Sequence, residues 1–239
     1  MKKILFITAL LLLNGCAAYY PQMVDIPLIK EKGDIRVDAG AFFSPKIDDT
    51  TPENEEKKTV KSDPVSNLGL HGTFTAGITN VLAFQAYLCA DAHFRAHIQS
   101  ALGLYKRFEN GTVTEVYGGI GYGGGFAQMM SVSSRDNYVL TFTQINVGKT
   151  DVGKNHFDYG LGLKGGYIFT HTPDSSSVDI YKKDGWIVEP SVFLRFGSSR
   201  IKFCAKVNYM WTNSVVERYY YYPVSISLGV NFRLGKKIK

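Results

Sequence analysis

The stretch VSISLGVNFRLG, Val224 to Gly235, separates into two strips when every second residue is taken. Val224, Ile226, Leu228, Val230, Phe232 and Leu234 are all apolar, whereas Ser225, Ser227, Gly229, Asn231 and Arg233 are all small or polar. A period of two marks a β-strand whose two faces meet different surroundings. The pattern recurs upstream. Phe157, Tyr159, Leu161, Leu163, Tyr167 and Phe169 alternate with Asp158, Gly160, Gly162, Lys164 and Gly166. Ile201, Phe203, Val207, Tyr209 and Trp211 oppose Lys202, Cys204, Lys206 and Asn208. Each apolar strip runs for about 11 residues, the length of a membrane-spanning β-strand and about twice the usual soluble strand. The polar strips are rich in Gly and Ser, which suits a narrow lumen better than open water. The apolar face is therefore expected to meet lipid and the polar face to line a barrel.

Working outward, strand patterns are read at 33–44, 66–78, 81–90, 95–107, 113–126, 138–148, 156–170, 186–197, 200–211 and 219–234. The links at Thr79-Asn80, Glu109–Thr112, 149–155 and Gly197–Arg200 are short. Those at 45–65, 91–94, 127–137, 171–185 and 212–218 are mostly longer. Alternation of short turns with long loops is the layout of an up-and-down barrel in an outer membrane. The expected fold is all-β: an up-and-down antiparallel transmembrane β-barrel of about ten strands. Pro190 falls inside the eighth strand, implying a bulge or a displaced boundary, and strand six, YVLTFTQINV, alternates poorly.

Composition agrees. The 239 residues include 15 Tyr, 15 Phe and 24 Gly, which favours strands, turns and close-packed backbones. Net charge is +6, with no dense basic cluster interleaved with aromatics, so nucleic-acid binding has no support. No apolar run reaches the length of a transmembrane helix.

MKKILFITALLLLNGC has two lysines, a short apolar core and a small residue before Cys16, the plan of a secretory signal. Leu13-Asn14-Gly15-Cys16 resembles the lipobox of bacterial lipoproteins, which implies lipidation of Cys16; ordinary cleavage is the simpler alternative. The domains are read as a signal peptide at 1–15, a lipidated N-terminal linker at 16–32, a barrel at 33–235 and a basic tail at 236–239. Cys89 and Cys204 lack metal or redox spacing and are expected to be packing residues.

Tyr and Trp at strand ends form the interfacial girdle of membrane barrels. Tyr167, Phe169, Trp186, Trp211, Tyr220 and Tyr222, flanking the links after strands seven and nine, are assigned to one. By parity, Arg36, Asp38, Asp158, Lys164, Glu189, Arg195, Lys202, Lys206 and Arg233 point into the lumen, six basic against three acidic. These charges are expected to form a salt-bridged plug, with small anions as the preferred solutes of any residual pore. Asp38 and Arg233 lie on the strands that must pair to close the barrel, so a salt bridge is expected there.

The residues YYPQMVDIPLIKEKGDIRVDAG, FDYGLGLKGGY and LGVNFRL together resemble a family of outer-membrane β-barrel lipoproteins from anaerobic Gram-negative bacteria. The motifs that carry the resemblance are structural, and the resemblance brings no activity with it. Relatives bound for the cell surface carry acidic residues after the Cys; Ala17-Ala18-Tyr19-Tyr20 here implies an anchor in the periplasmic leaflet.

Catalytic signals are weak. Gly119-Ile-Gly121-Tyr-Gly-Gly124 matches GxGxxG, but no helix follows to complete a phosphate site, and a Gly-lined wall is the better reading. His93 and His97 sit about 13 Å apart on a strand, too far for one ion. No cofactor or metal is expected. The leading expectation is a non-enzymatic, lipid-anchored outer-membrane barrel with a structural, adhesive or narrow-pore role. The alternatives are a tethered soluble barrel that binds an apolar ligand, and an outer-membrane lipase or acyltransferase.

Overall fold

The computed structural model describes residues 23–45, 67–92, 95–125, 137–153, 156–171, 184–212 and 223–234. These form one closed antiparallel sheet. Its strands are β1 (Ile35–Ser44), β2 (Asn67–Gly77), β3 (Leu82–Asp91), β4 (Arg95–Arg107), β5 (Thr112–Gly125), β6 (Asn137–Val152), β7 (Phe157–His171), β8 (Gly185–Gly197), β9 (Ile201–Tyr209) and β10 (Val224–Arg233). Each strand pairs with its sequence neighbours, and β1 pairs with β10 from Arg36–Arg233 to Phe43–Ile226. The result is a ten-stranded up-and-down barrel, as the alternating strips and links require.

Pro190 stands inside β8 without displacing the boundary, and β7–β8 pairing runs through it in register as Leu163–Pro190. The β8–β9 ladder instead stops at Ser191–Asn208 and resumes at Val188–Trp211 and Ile187–Thr212. A proline has no N–H for that ladder, so the break sits opposite it. Between the two parts, the Met210 N–H donates to the Pro223 carbonyl on the β10 side at 2.7 Å.

The short links close one end of the barrel. Thr79 Oγ1 accepts the N–H groups of Val81 and Leu82, and Ser198 Oγ accepts those of Arg200 and Ile201. Gly111, at φ +79°, supplies the left-handed residue of the turn between β4 and β5. We call this the turn end and the other the loop end.

The wall is inverted relative to a water-soluble protein. Leu70 and Leu228 are each 68% exposed, while Arg195, Glu189 and Asp158 are 0% exposed. Strand six alternates poorly in sequence because its inward face changes character. Tyr138, Leu140 and Phe142 point inward at the loop end, and Gln144, Asn146 and Thr150 do so toward the turn end.

Candidate functional site: a charged and occupied lumen

The parity assignments of Arg36, Asp38, Asp158, Lys164, Glu189, Arg195, Lys202 and Lys206 all correspond to buried side chains inside the barrel. Arg233 is half-buried at the turn-end mouth. The structure groups these charges into three layers.

At the turn end, Lys202 Nζ lies 2.6 Å from Asp158 and 2.8 Å from Asp151. Arg233 Nε lies 2.8 Å from Asp34, and Arg36 approaches Asp34 and Asp158 at 3.7 and 3.6 Å. Lys30 pairs with Asp151. Burial pushes the Lys30 ammonium down to a pKa of about 7, reinforced by the positive charges of Arg233 and Arg36. Burial works against ionisation of Asp34, but Arg36 and Arg233 outweigh it and hold that carboxyl below its ordinary range.

At mid-height, Arg195 lies 2.9 Å from Asp38 and Lys206 lies 3.1 Å from Asp25. The crossed pairs, Arg195–Asp25 and Lys206–Asp38, are 3.7 and 3.6 Å. The Arg195 guanidinium also rests 4.5 Å from the centre of the Phe193 ring. Toward the loop end, Lys164 and Glu189 pair at 2.7 Å. There a row of rings, Phe42, His71, Tyr87, His97 and Tyr138, crosses β1 to β6 with neighbouring centres 5.4–6.5 Å apart.

The expected salt bridge between Asp38 and Arg233 does not form. In the β1–β10 register Asp38 faces Asn231, and Arg36 faces Arg233. Asp38 therefore looks across the lumen to β8 and β9, and Arg233 turns down to Asp34. The closing seam is still flanked by ion pairs, but with different partners.

The lumen also holds a segment read from sequence as linker. Residues Met23–Lys30 are all buried and run through the barrel without joining its sheet. Val24, Ile26 and Leu28 cluster with Val113 and Phe193. The Asp25 carbonyl accepts from Gln144 Nε2 at 2.5 Å and Gln85 Nε2 at 3.3 Å, and Met23 N–H donates to Tyr87 Oη at 3.2 Å. Leu28 adopts a left-handed backbone at φ +55°, and the N–H groups of Leu28 and Ile29 both turn to Glu115. Consecutive N–H groups converging on one carboxylate form an anion nest. Inward polar side chains thus replace the ladder bonds that this extended segment lacks.

Glycines make the room. A Cβ on Gly162 would lie 2.8 Å from Ile26 Cδ1, and one on Gly148 would lie 2.9 Å from Leu28 Cδ1. The Gly119, Gly121 and Gly123 stripe does the same for Phe142, His97 and Tyr138, so the GxGxxG match belongs to a packed wall.

The occupied lumen alters the charge reading. Glu115, Asp25, Asp34 and Asp151 add four carboxylates against one further ammonium, Lys30, and so bring the named lumen charges to seven of each sign. Glu115 was visible in the sequence, since it shares parity with Gly119 and Gly121, and so was Asp34, which shares parity with Arg36 and Asp38 in the strand read at 33–44; Asp25, in the stretch read as linker, had no strand parity to reveal it.

Tyr167, Phe169, Trp186 and Trp211 point outward near the loop end, each exposed. Tyr220 and Tyr222 lie outside the described residues, as do Cys16 and His93. A second outward aromatic group, absent from the sequence reading, lies at the turn end: Phe157–Tyr159 and Phe196–Phe203. Tyr159 and Tyr167 are eight residues apart on β7, about 27 Å along the strand and about 20 Å in height at the usual barrel tilt.

No family model matches the chain, and no curated protein matches it. Among solved structures, the outer membrane protein OprG from Pseudomonas aeruginosa is similar at a TM-score of 0.42 and 12% identity, covering 89% of this chain and all of that one. The barrel described above rests on this chain's own strand pairing.

Proposed function

We propose that this protein is a lipid-anchored, non-enzymatic outer-membrane barrel whose lumen is closed by its own side chains and N-terminal segment. Its role would be structural or adhesive, carried by the wall and the long links. The observation that carries the reading is the inversion of polarity: an apolar outer wall between two aromatic groups, around a core of buried ion pairs. Outward apolar bands bounded by aromatic girdles are what a lipid bilayer selects in a barrel. Outer-membrane lipid is thus the proposed partner, and Cys16 the proposed lipidation site.

A tethered soluble barrel holding an apolar ligand would need an apolar interior, and the space at mid-height is taken by Asp25, Asp38, Arg195 and Lys206. Small anions remain the proposed solutes for any leak, but with the named lumen charges in balance the preference is expected to be slight.

Leu228→Lys tests the membrane reading, because Leu228 is near the middle of β10 and highly exposed. In water a lysine there would be tolerated within about 0.5 kcal/mol. In a bilayer it would cost about 2–4 kcal/mol near the midplane. A urea midpoint in lipid vesicles unchanged by the substitution would exclude a lipid-facing wall.

A further inference from the structure

The direction of the lumen segment bears on where the chain's N-terminus goes. Met23 hydrogen-bonds Tyr87 and packs with Phe42 and Cys89, which stand two residues from the loop ends of β1 and β3. Asp25 is at mid-height with Lys206 and Gln144. Ile26 lies against Gly162, Leu28 against Gly148, and Ile29 against Gly77, the last residue of β2 at the turn end. Lys30 reaches Asp151 beside the turn after β6. The chain then reverses at Glu31–Gly33, where the Gly33 N–H donates to the Gly77 carbonyl, and re-ascends as β1. Residues 23–30 therefore run from the loop half down to the turn end.

From this geometry we infer that the polypeptide preceding Met23 leaves the barrel at its loop end, so that an acyl group on Cys16 inserts in the leaflet on that side. The inference rests on the lipidation of Cys16 proposed above, and it replaces the periplasmic-leaflet expectation drawn from Ala17-Ala18-Tyr19-Tyr20.

Two routes would lead back to the turn-end leaflet, and both are closed. The first is a second pass through the lumen. At mid-height that space already holds Asp25 and the buried side chains of Asp38, Arg195 and Lys206, with Gln85 and Gln144 bonded to the segment. The second is over the rim and down the outside. Seven residue steps separate Met23 from Cys16, which reach at most about 25 Å when fully extended. The apolar band alone is about 25 Å tall, and part of the seven steps is spent climbing from Met23 to the rim. The leaflet at the loop end is within reach and the other is not. Long loops face the exterior in barrels of this kind, so that leaflet is the outer one. β1, which follows the segment directly, is also the strand that seals the barrel against β10.

The test is made in intact cells with the full chain. Tyr20→Cys is treated with a membrane-impermeant maleimide; Cys89 and Cys204 are buried and supply a low background. Controls are Asp49→Cys in the long link after β1 and Asn110→Cys in the turn after β4. Labelling of Tyr20→Cys in intact cells, matching Asp49→Cys, is expected. Labelling only after permeabilisation, matching Asn110→Cys, would overturn the inference. If Tyr20→Cys disturbs assembly, an epitope inserted between Ala18 and Tyr19 and read by antibody on intact cells decides in the same way. Acyl labelling of the wild type against Cys16→Ser is run in parallel. Loss of that label with Tyr20 still reached from outside would leave the chain's direction standing and remove only the anchor.

Discussion

Asp38→Ala removes one of two carboxylates from the mid-lumen group. The two cations it leaves, Arg195 and Lys206, are 0% and 2% exposed, so neither can turn to water. Taking away one partner of a buried pair generally costs about 3–5 kcal/mol, because the other charge stays desolvated and uncompensated. Here Asp25 remains 3.1 Å from Lys206 and 3.7 Å from Arg195, so both cations keep a partner and the low end of that range applies. We expect a loss of about 3 kcal/mol, read as a fall in the urea midpoint for unfolding from vesicles at unchanged m-value. The loss should also appear as a lower temperature for the disappearance of heat-modifiable gel mobility. Adding Lys206→Met restores the balance of one cation to one carboxylate and keeps most of the side-chain volume. The double variant is therefore expected to be more stable than Asp38→Ala alone. A cost for Asp38→Ala below about 1 kcal/mol would place the quartet in water, since exposed pairs contribute no more than that. An additive double variant would show that Lys206 and Asp38 are not coupled.

Gly162→Ala brings a methyl group to 2.8 Å from Ile26 Cδ1 and should cost about 1–3 kcal/mol by overpacking, with Ile26→Val recovering part of it; no cost, measured by the same unfolding midpoint, would mean that the segment does not lie against β7. The Lys30 ammonium supplies a pH dependence. Its pKa falls from 10.5 in the unfolded chain to about 7 in the fold, so between those values the unfolded chain binds more protons and stability rises with pH. Below about 7 the penalty for a charged Lys30 is present in full, and above 10.5 it is gone. Lys30→Met should flatten the rise measured between pH 7 and 10, and a variant with the wild-type slope would contradict the burial of Lys30.

Much of this protein was legible strand by strand. Parity within a strand is a local property, because side chains alternate whatever the neighbouring strand does. Reading Asp158, Lys164, Arg195, Lys202 and Lys206 as inward residues needed no knowledge of the rest of the sheet. The same holds for the outward Tyr167, Phe169, Trp186 and Trp211. Glu115 and Asp34 obey the same rule. The alternation of short and long links likewise follows from the chain returning to the same end after every second strand.

Which inward charges meet was decided only by the closed barrel. Arg36 rather than Asp38 stands beside Arg233, because the register of β1 on β10 depends on the stagger accumulated around all ten strands. Asp38 then finds Arg195 across the lumen, 157 residues away in the chain. The segment Met23–Lys30 shows the same limit from the other side. Its alternating Val24, Ile26 and Leu28 resemble a short strand, yet no strand pairs with it. What holds it is a set of Gln85 and Tyr87 on β3, Glu115 on β5 and Gln144 on β6, three strands in all, with space left by Gly148 on β6 and Gly162 on β7. No local pattern encodes such a binding site, because it exists only once the wall has curved round to enclose it.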